Sequence, residues 1–406
     1  MEHTAKSTRA PRPVSSGKGV IALLAGLSAA GQIASNIYLP SLPDVAADLA
    51  IDQAQAQSTY SIYLAVFAVS QLFYGPISDR FGRRSILAIG LMLYVLGSAL
   101  CAFAASLDVL LLGRAIQAGG AGAAVVLARA IVRDSFEGPR LTRVLALVTI
   151  LFALAPAMSP LLGGVIQQQL GWHAVFWVTA AFGVLLMVGS VRLPETNMNR
   201  LDHVSLGLAA KNYSVVLRDP QFIKFGLVSA CAIAAMSAFF GGSPAVFIDQ
   251  LGLSPIEYGL YPPIAVSGFV VGSMFVRRRA EKHSLEELAM IGVMIMLAGA
   301  LLSIALPVMG IVHKHGYNAG IILTVTGLGV LMPSAVAGAL APFKENAGSA
   351  SAMLGFLQMG AGGVAVALVS AIQNDLPLIA YPVAMVGAAA LGLLILVIPR
   401  RAEVSM

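Results

Sequence analysis

Hydrophobic positions along this chain fall into twelve long runs separated by short polar stretches. Each run is long enough for a bilayer core of about 30 Å, which takes about 20 helical residues at ~1.5 Å each. The runs centre near Ala30, Val66, Leu93, Gly120, Ala153, Gly183, Ala234, Val266, Leu297, Gly327, Met359 and Ala389. The pattern predicts an all-α membrane protein with twelve transmembrane helices. Its polar stretches alternate in charge. One set is poor in Lys and Arg: Asp44 to Gln57, Asp108, Trp172-His173, Asp249, His313-Lys314-His315 and Asp375. The other set holds Arg80, Arg83, Arg84, then Arg133-Asp134, Arg140, Arg143, then Arg277-Arg278-Arg279, Lys282 and Lys344. Basic loops mark the cytoplasmic side of a membrane. An even number of spans places both termini there, in keeping with Lys6, Arg9, Arg12 and Lys18 before the first run and Arg400-Arg401 after the last.

The longest polar connection, Arg192 to Lys224, divides the spans into two sets of six. The expected organisation is a tail at 1–18, a bundle at 19–194, a linker at 195–220, a second bundle at 221–399 and a tail at 400–406. Transporters are commonly built from such repeated halves. Gly272 followed by Arg277-Arg278-Arg279 echoes the first-half loop around Arg83, but without its acid.

Composition narrows the function. The 406 residues are 58% hydrophobic and only 11% charged, against about 25% charged in soluble domains. The net charge of +6 would suit a nucleic-acid partner, yet apart from Arg114 and Lys314 the cations sit at the termini or near alternate loops. The expected partner is the lipid bilayer, not nucleic acid. Cys101 and Cys231 lie inside apolar runs, so no disulfide framework is implied. No small-residue cleavage site follows Val20 to Leu27, so the first residues read as an uncleaved tail. His3 and His203 look terminal or loop-borne, and His173, His283, His313 and His315 lie at span ends. No metal spacing or nucleophile–base pair emerges, so neither an enzyme nor a metal or cofactor is expected.

Polar residues inside the runs are the candidate chemistry. The first run reads Ser28, Gln32, Asn36 at four-residue spacing, one helical face, with Pro40 and Pro43 beyond it. Such a face in lipid meets either neighbouring helices or a water-filled cavity. The second run offers Tyr60, Tyr63, Phe67, Gln71 and Tyr74 at helical spacing, a stripe for packing or for holding a lipophilic compound. Arg114 is a charge inside the fourth run, between Leu110-Leu111-Leu112 and a small-residue stretch. A charge at mid-span costs about 2.5–3.5 kcal/mol on insertion scales. It therefore has a partner or an aqueous cavity, or it snorkels to the interface. Gln117 shares its face. In the fifth run Pro156 and Pro160 bend the helix while Gly163 and Gly164 admit a neighbour; Phe152 and Met158 flank them. Gly241-Gly242-Ser243-Pro244 breaks the seventh run after Phe240, and the eleventh is rich in small residues around Gln358.

The loop Tyr74-Gly75-Pro76-Ile77-Ser78-Asp79-Arg80-Phe81-Gly82-Arg83-Arg84 concentrates charge between two runs. Gly75 and Gly82 would let the backbone approach a neighbouring helix. This spacing resembles the loop 2–3 signature of the major facilitator superfamily, carried by Gly75, Asp79, Arg80, Gly82, Arg83 and Arg84. Tyr38-Leu39-Pro40-Ser41-Leu42-Pro43 resembles a further signature of the family. Leu110, Arg114 and Gln117 resemble its second motif, and residues 155–164 its antiporter motif, with Ala155 and Ser159 replacing glycines. Together with residues 241–259 and 348–360 the resemblance is to drug:proton antiporters of Bcr/CflA (bicyclomycin/chloramphenicol resistance) type, over roughly residues 20–400.

That resemblance implies two pseudo-symmetric six-helix bundles and multidrug or metabolite export by alternating access in a bacterial inner membrane. It implies a small-molecule substrate, amphenicol- or bicyclomycin-like, protons as partner, and a monomer. The substrate residues are then Asn36, Tyr38, Tyr63, Phe67, Gln117, Met158, Phe240 and Gln358. Arg114 and Asp44 would serve proton coupling. Gly75, Asp79, Arg80, Gly82, Arg83, Arg84, Arg129 and Asp134 would form a conformational latch, with Arg83 meeting Asp134; Pro156, Pro160, Gly163 and Gly164 carry the antiporter motif. One departure matters: the family usually has aspartate where this chain has Asn36, and an amide does not titrate. No Asp or Glu lies in the middle of any other span. Three explanations stand: an altered coupling residue (Asp44, Asp79 or Asp134), an uncoupled transporter, or an engineered Asp-to-Asn change. The alternative function is a facilitator or importer of a neutral or anionic metabolite, with Arg114 as anion partner.

Overall fold

The computed structural model describes residues 18–197, 206–343 and 346–398. Residues 1–17 and 399–406, with their basic side chains, and His203 and Lys344 lie outside the described residues. The described residues are helical: α1 Lys18–Asn36, α2 Leu42–Asp48, α3 Gln53–Phe81, α4 Arg83–Ala102, α5 Leu107–Ser135, α6 Gly138–Leu170, α7 Trp172–Ser190, α8 Leu206–Arg218, α9 Pro220–Pro244, α10 Pro255–Gly259, α11 Tyr261–Arg279, α12 Leu285–Val308, α13 Lys314–Leu340, α14 Ala347–Gln373 and α15 Ala380–Val397. Twelve segments are long and apolar enough to cross a membrane, and each contains one of the predicted centres. Only closed hydrogen-bonded structures survive in lipid, and the outward faces carry apolar side chains such as Leu96, Leu162, Leu185 and Val364. Cys101 and Cys231 are buried and free.

Helix starts follow from capping. Asp52 and Gln55 form a capping box at α3, and Ser254 with Glu257 and Ser284 with Glu287 repeat it at α10 and α12. Each satisfies backbone donors that a helix end leaves free. Three spans are interrupted, the eighth at Leu260 between α10 and α11. The first breaks after Asn36 into a 3-10 turn Leu39–Ser41 and the short α2. The seventh leaves the α form at Pro244 for a π turn, Ala245–Gln250.

A shared packing device appears in both halves. α4 and α5 meet through Gly90 against Gly120 and Gly97 against Gly113, where an added Cβ would strike the facing helix. α12 and α13 repeat this with Gly292 against Gly327 and Gly299 against Gly320. Every one of these glycines is seven residues from its companion on the same helix. Small residues two turns apart let antiparallel backbones touch. This repeat is far clearer than the Arg277-Arg278-Arg279 echo.

The linker holds an unexpected helix. α8 packs on α9 and α14, and Tyr213 donates its hydroxyl to the Leu72 carbonyl at 2.8 Å. Leu72 O is available because its helical partner four residues on is Pro76, which has no N–H. Burial first, and the Asp79 carboxylate second, raise the Tyr213 phenol above its usual range, so it stays a donor at physiological pH. Tyr213→Phe leaves that carbonyl unpaired. It is expected to release α8, with protease cleavage at 206–218 several-fold faster and the rest of the fold unchanged.

Candidate functional site

The broken first span sets the site at the less basic end. Ending a helix at Asn36 leaves the last-turn carbonyls of α1 without helical donors. Arg114, 0% exposed, reaches them: Nη1 donates to Ala34 O at 3.0 Å and to Gln117 Oε1 at 2.7 Å, and Nε to Thr59 O at 3.5 Å. Its guanidinium lies 4.2 Å from the Tyr63 ring centroid, 5.1 Å from Tyr38 and 5.8 Å from Phe176. Gln117 passes the network on, donating to Ser98 Oγ at 2.8 Å and Thr179 Oγ1 at 3.4 Å. A cation at a helix C-terminus is favourable, and broken membrane helices hold cations this way. Arg114 therefore neither snorkels nor faces an aqueous vestibule in this state, and among the described residues no carboxylate pairs with it. Its Nη2 is unpartnered.

Asn36 is 1% exposed, donating to Gln32 O at 2.8 Å and Ser35 Oγ at 2.7 Å, while its Oδ1 has no partner. Asp44, at the start of α2, is exposed and accepts from Gln167 Nε2. It stands apart from the buried network.

At the basic end, Gly82 turns the chain with φ of 94°, a left-handed value that favours glycine. The Arg83 and Arg84 amides that follow donate to the Glu195 carboxylate at 2.8 and 3.3 Å. The Arg83 side chain then reaches Asp79 Oδ1 at 2.6 Å and Asp134 Oδ2 at 3.1 Å, and Thr196 also donates to Asp134 at 3.1 Å. Arg84 donates to Val191 O at 2.9 Å, whereas Arg80 is exposed over Phe81. Gly75 has open space where a Cβ would stand, so no helix approaches it; it faces the cavity instead. Arg129 makes no ion pair within this cluster; it lies over Phe152 at 5.1 Å. Because Asp79 shares Arg83, a double-mutant cycle reads the latch more cleanly than a charge swap. Arg83→Gln and Asp134→Asn are each expected to lower transport, with a coupling of about 1–3 kcal/mol between them, measured from initial rates.

A cavity of about 300 Å³ opens at this end between the halves, lined by α3, α5, α8 and the first turns of α14. It ends at Gln71, which lies against Gly355. Beyond that point the halves touch. Ser61 donates to Gly363 O at 2.9 Å, Ser370 to Ala54 O at 2.6 Å, and Gln57 to Gln373 Oε1 at 3.2 Å. On the other side Gly164 abuts Pro255 and Gly259 abuts Pro160 and Leu161 across the halves, while Gly163 packs on the Ile37 backbone within the first half.

None of the eight expected substrate residues lines this cavity. Tyr38, Tyr63, Phe67 and Gln117 are no more than 2% exposed, and Phe240 packs on Phe239. The aromatic stripe of α3 is packing in this state, with Phe67 seated on Gly31. Met158 is 47% exposed, on the face of α6 that also exposes Leu147, Leu151, Leu154 and Leu162. Gln358 is half-buried and bonds Ser229 at 3.2 Å. Sequence reasoning missed Phe176, Glu195, Tyr213 and Arg133; only Pro76, a proline inside a helix, signalled a free carbonyl.

The Major Facilitator Superfamily model matches residues 23–367. An uncharacterised MFS-type transporter, YdgK of Bacillus subtilis (strain 168), is 31% identical over 86% of this chain and 87% of its own length. Multidrug resistance protein D of Escherichia coli (strain K12) is 30% identical over 86% of this chain and 88% of its own. Among solved structures, a peptide transporter in complex with alafosfalin superposes with a TM-score of 0.73 at 17% identity, covering 93% of this chain and 92% of that one.

Proposed function

Because this chain belongs to the Major Facilitator Superfamily, we propose that it is an exporter of small, lipophilic, neutral compounds. The substrate class is amphenicol- or bicyclomycin-like, and the mode is Bcr/CflA-type drug:proton antiport from a monomer. Two bundles, at 19–194 and 221–399, rock about the Arg114 network. The protein sits in a bacterial inner membrane with its basic end and both termini cytoplasmic. The observation that carries this reading is the cavity between halves, open at the basic end and closed at the other by backbone-to-backbone contact. A relative named a multidrug resistance protein supports export as the direction. The cavity wall mixes apolar positions (Pro76, Val126, Ala130 and Leu208) with charged and polar ones, which suits a lipophilic ligand that carries polar groups. When the far end opens, the residues around Arg114 become the cavity wall.

The test is flux of a neutral drug in proteoliposomes with an imposed pH gradient. Export driven by the gradient supports the reading; flux indifferent to it supports an uncoupled facilitator. The facilitator is the second reading, favoured by Asn36, which holds an orphaned amide oxygen where a titratable group would couple protons. Burial raises a carboxyl's pKa, so Asn36→Asp supplies a group that can load and release a proton. Asn36→Asp is expected to increase gradient-dependent efflux of a cationic dye several-fold in inverted vesicles, with neutral-drug efflux maintained. Stronger cation export by the unmodified chain contradicts this.

A further inference from the structure

We propose that the cavity at the basic end contains an anion subsite, in which Arg129, Arg133 and the first turn of α14 hold the carboxylate of a small amphiphilic monoanion. The inference rests on the export reading only in taking this cavity as the substrate path, and it extends the cargo from neutral to anionic compounds.

Five charged side chains line the cavity: Asp79, Arg83, Arg129, Arg133 and Asp134. Both carboxylates are engaged by one arginine, Arg83, at 2.6 and 3.1 Å. Arg129 and Arg133 have no carboxylate partner among the described residues. They stand four residues apart on α5, about 6 Å along the axis and on one face, where like charges destabilise a helix. A guanidinium matches a carboxylate through paired N–H donors. Phe152 backs Arg129 at 5.1 Å, while Nη1 of Arg133 comes within 4.0 Å of where a Gly348 Cβ would stand.

The opposite wall supplies more donors. Gly348, Ser349, Ser351 and Ala352 face the cavity from the start of α14. Its N-cap, Asn346, makes no side-chain cap bond. Among the described residues, the first-turn amides of Ala347, Gly348 and Ser349 find no acceptor. Such a helix start attracts an anion, here with two cations facing it. Val126, Ala130, Pro76 and Leu208 give the rest of the wall an apolar character. Three arginines against two aspartates leave one positive charge, which a single carboxylate balances and a dianion overshoots.

The experiment is fluorescence titration of the full chain in lipid nanodiscs with 2-naphthoate, using 2-naphthamide as neutral isostere. Naphthoate is expected to bind at least about tenfold more tightly than naphthamide. Arg129→Gln and Arg133→Gln should each weaken naphthoate about tenfold and leave naphthamide unchanged. Ser349→Asp places a carboxylate within the free first turn, so it should raise the melting temperature while weakening naphthoate about tenfold; this variant decides the matter if the arginine variants do not fold. Equal binding of acid and amide, or naphthoate binding unaltered by Ser349→Asp, overturns the proposal. Binding is read at equilibrium without a gradient, so its failure is distinct from failure of drug export.

Discussion

Arg114→Lys is expected to abolish drug export as fully as Arg114→Ala. The guanidinium does three things at once: it donates to the open end of α1, binds Gln117, and lies flat over Tyr63 at 4.2 Å. An ammonium is a point charge without that planar fork. Losing one charged hydrogen bond costs about 1.5–3 kcal/mol, and a desolvated cation–π contact adds about 2 kcal/mol. A deficit of that size corresponds to a flux lower by at least about a hundredfold. Initial rates in proteoliposomes, with thermal melting as the folding control, check it. A folded Arg114→Lys protein exporting at more than half the original rate contradicts the role given to this network.

Substitution of Gly164 by valine is expected to have the second largest effect. Its added side chain meets the backbone of Pro255 in the other half, atoms that cannot rotate aside. The closed end would then be held apart, and transport would stop although substrate still enters from one side. Gly75→Ala is the matched control, since nothing occupies the space beside Gly75 in this state. The comparison is read by disulfide cross-linking of cysteines introduced at Gln55 and Asn374. Efficient cross-linking in the Gly75→Ala protein and little in the Gly164→Val protein is the expected result; equal cross-linking in both contradicts it.

Hydropathy and charge alternation were enough to place all twelve spans, because the bilayer imposes one length and one backbone solution on every crossing. The Arg83–Asp134 pair was legible from charge spacing. What the sequence hid depends on how separate helices meet. Tyr63 and Phe67 carry no mark that separates packing from binding, and their burial here follows from Gly31 allowing α3 to close on α1. Arg114 read as a charge in need of a partner or an aqueous cavity, and the sequence did not show that the break at Asn36 supplies that partner as a backbone carbonyl. Met158 was misplaced because it shares the exposed face of α6 with Leu147, Leu151, Leu154 and Leu162, and nothing in an apolar run marks which face meets lipid. The seven-residue glycine spacing was present in the sequence, but only the α4–α5 and α12–α13 contacts give it meaning.

Alternating access between the two halves is the central claim, and distance measurement at both ends tests it most directly. Spin labels at Gln55 and Asn374 report the end closed here, and labels at Arg143 and Ala280 report the basic end. On adding substrate or changing pH, the first distance should lengthen in the same population in which the second shortens. Two distances that stay fixed, or that lengthen together, would contradict the account.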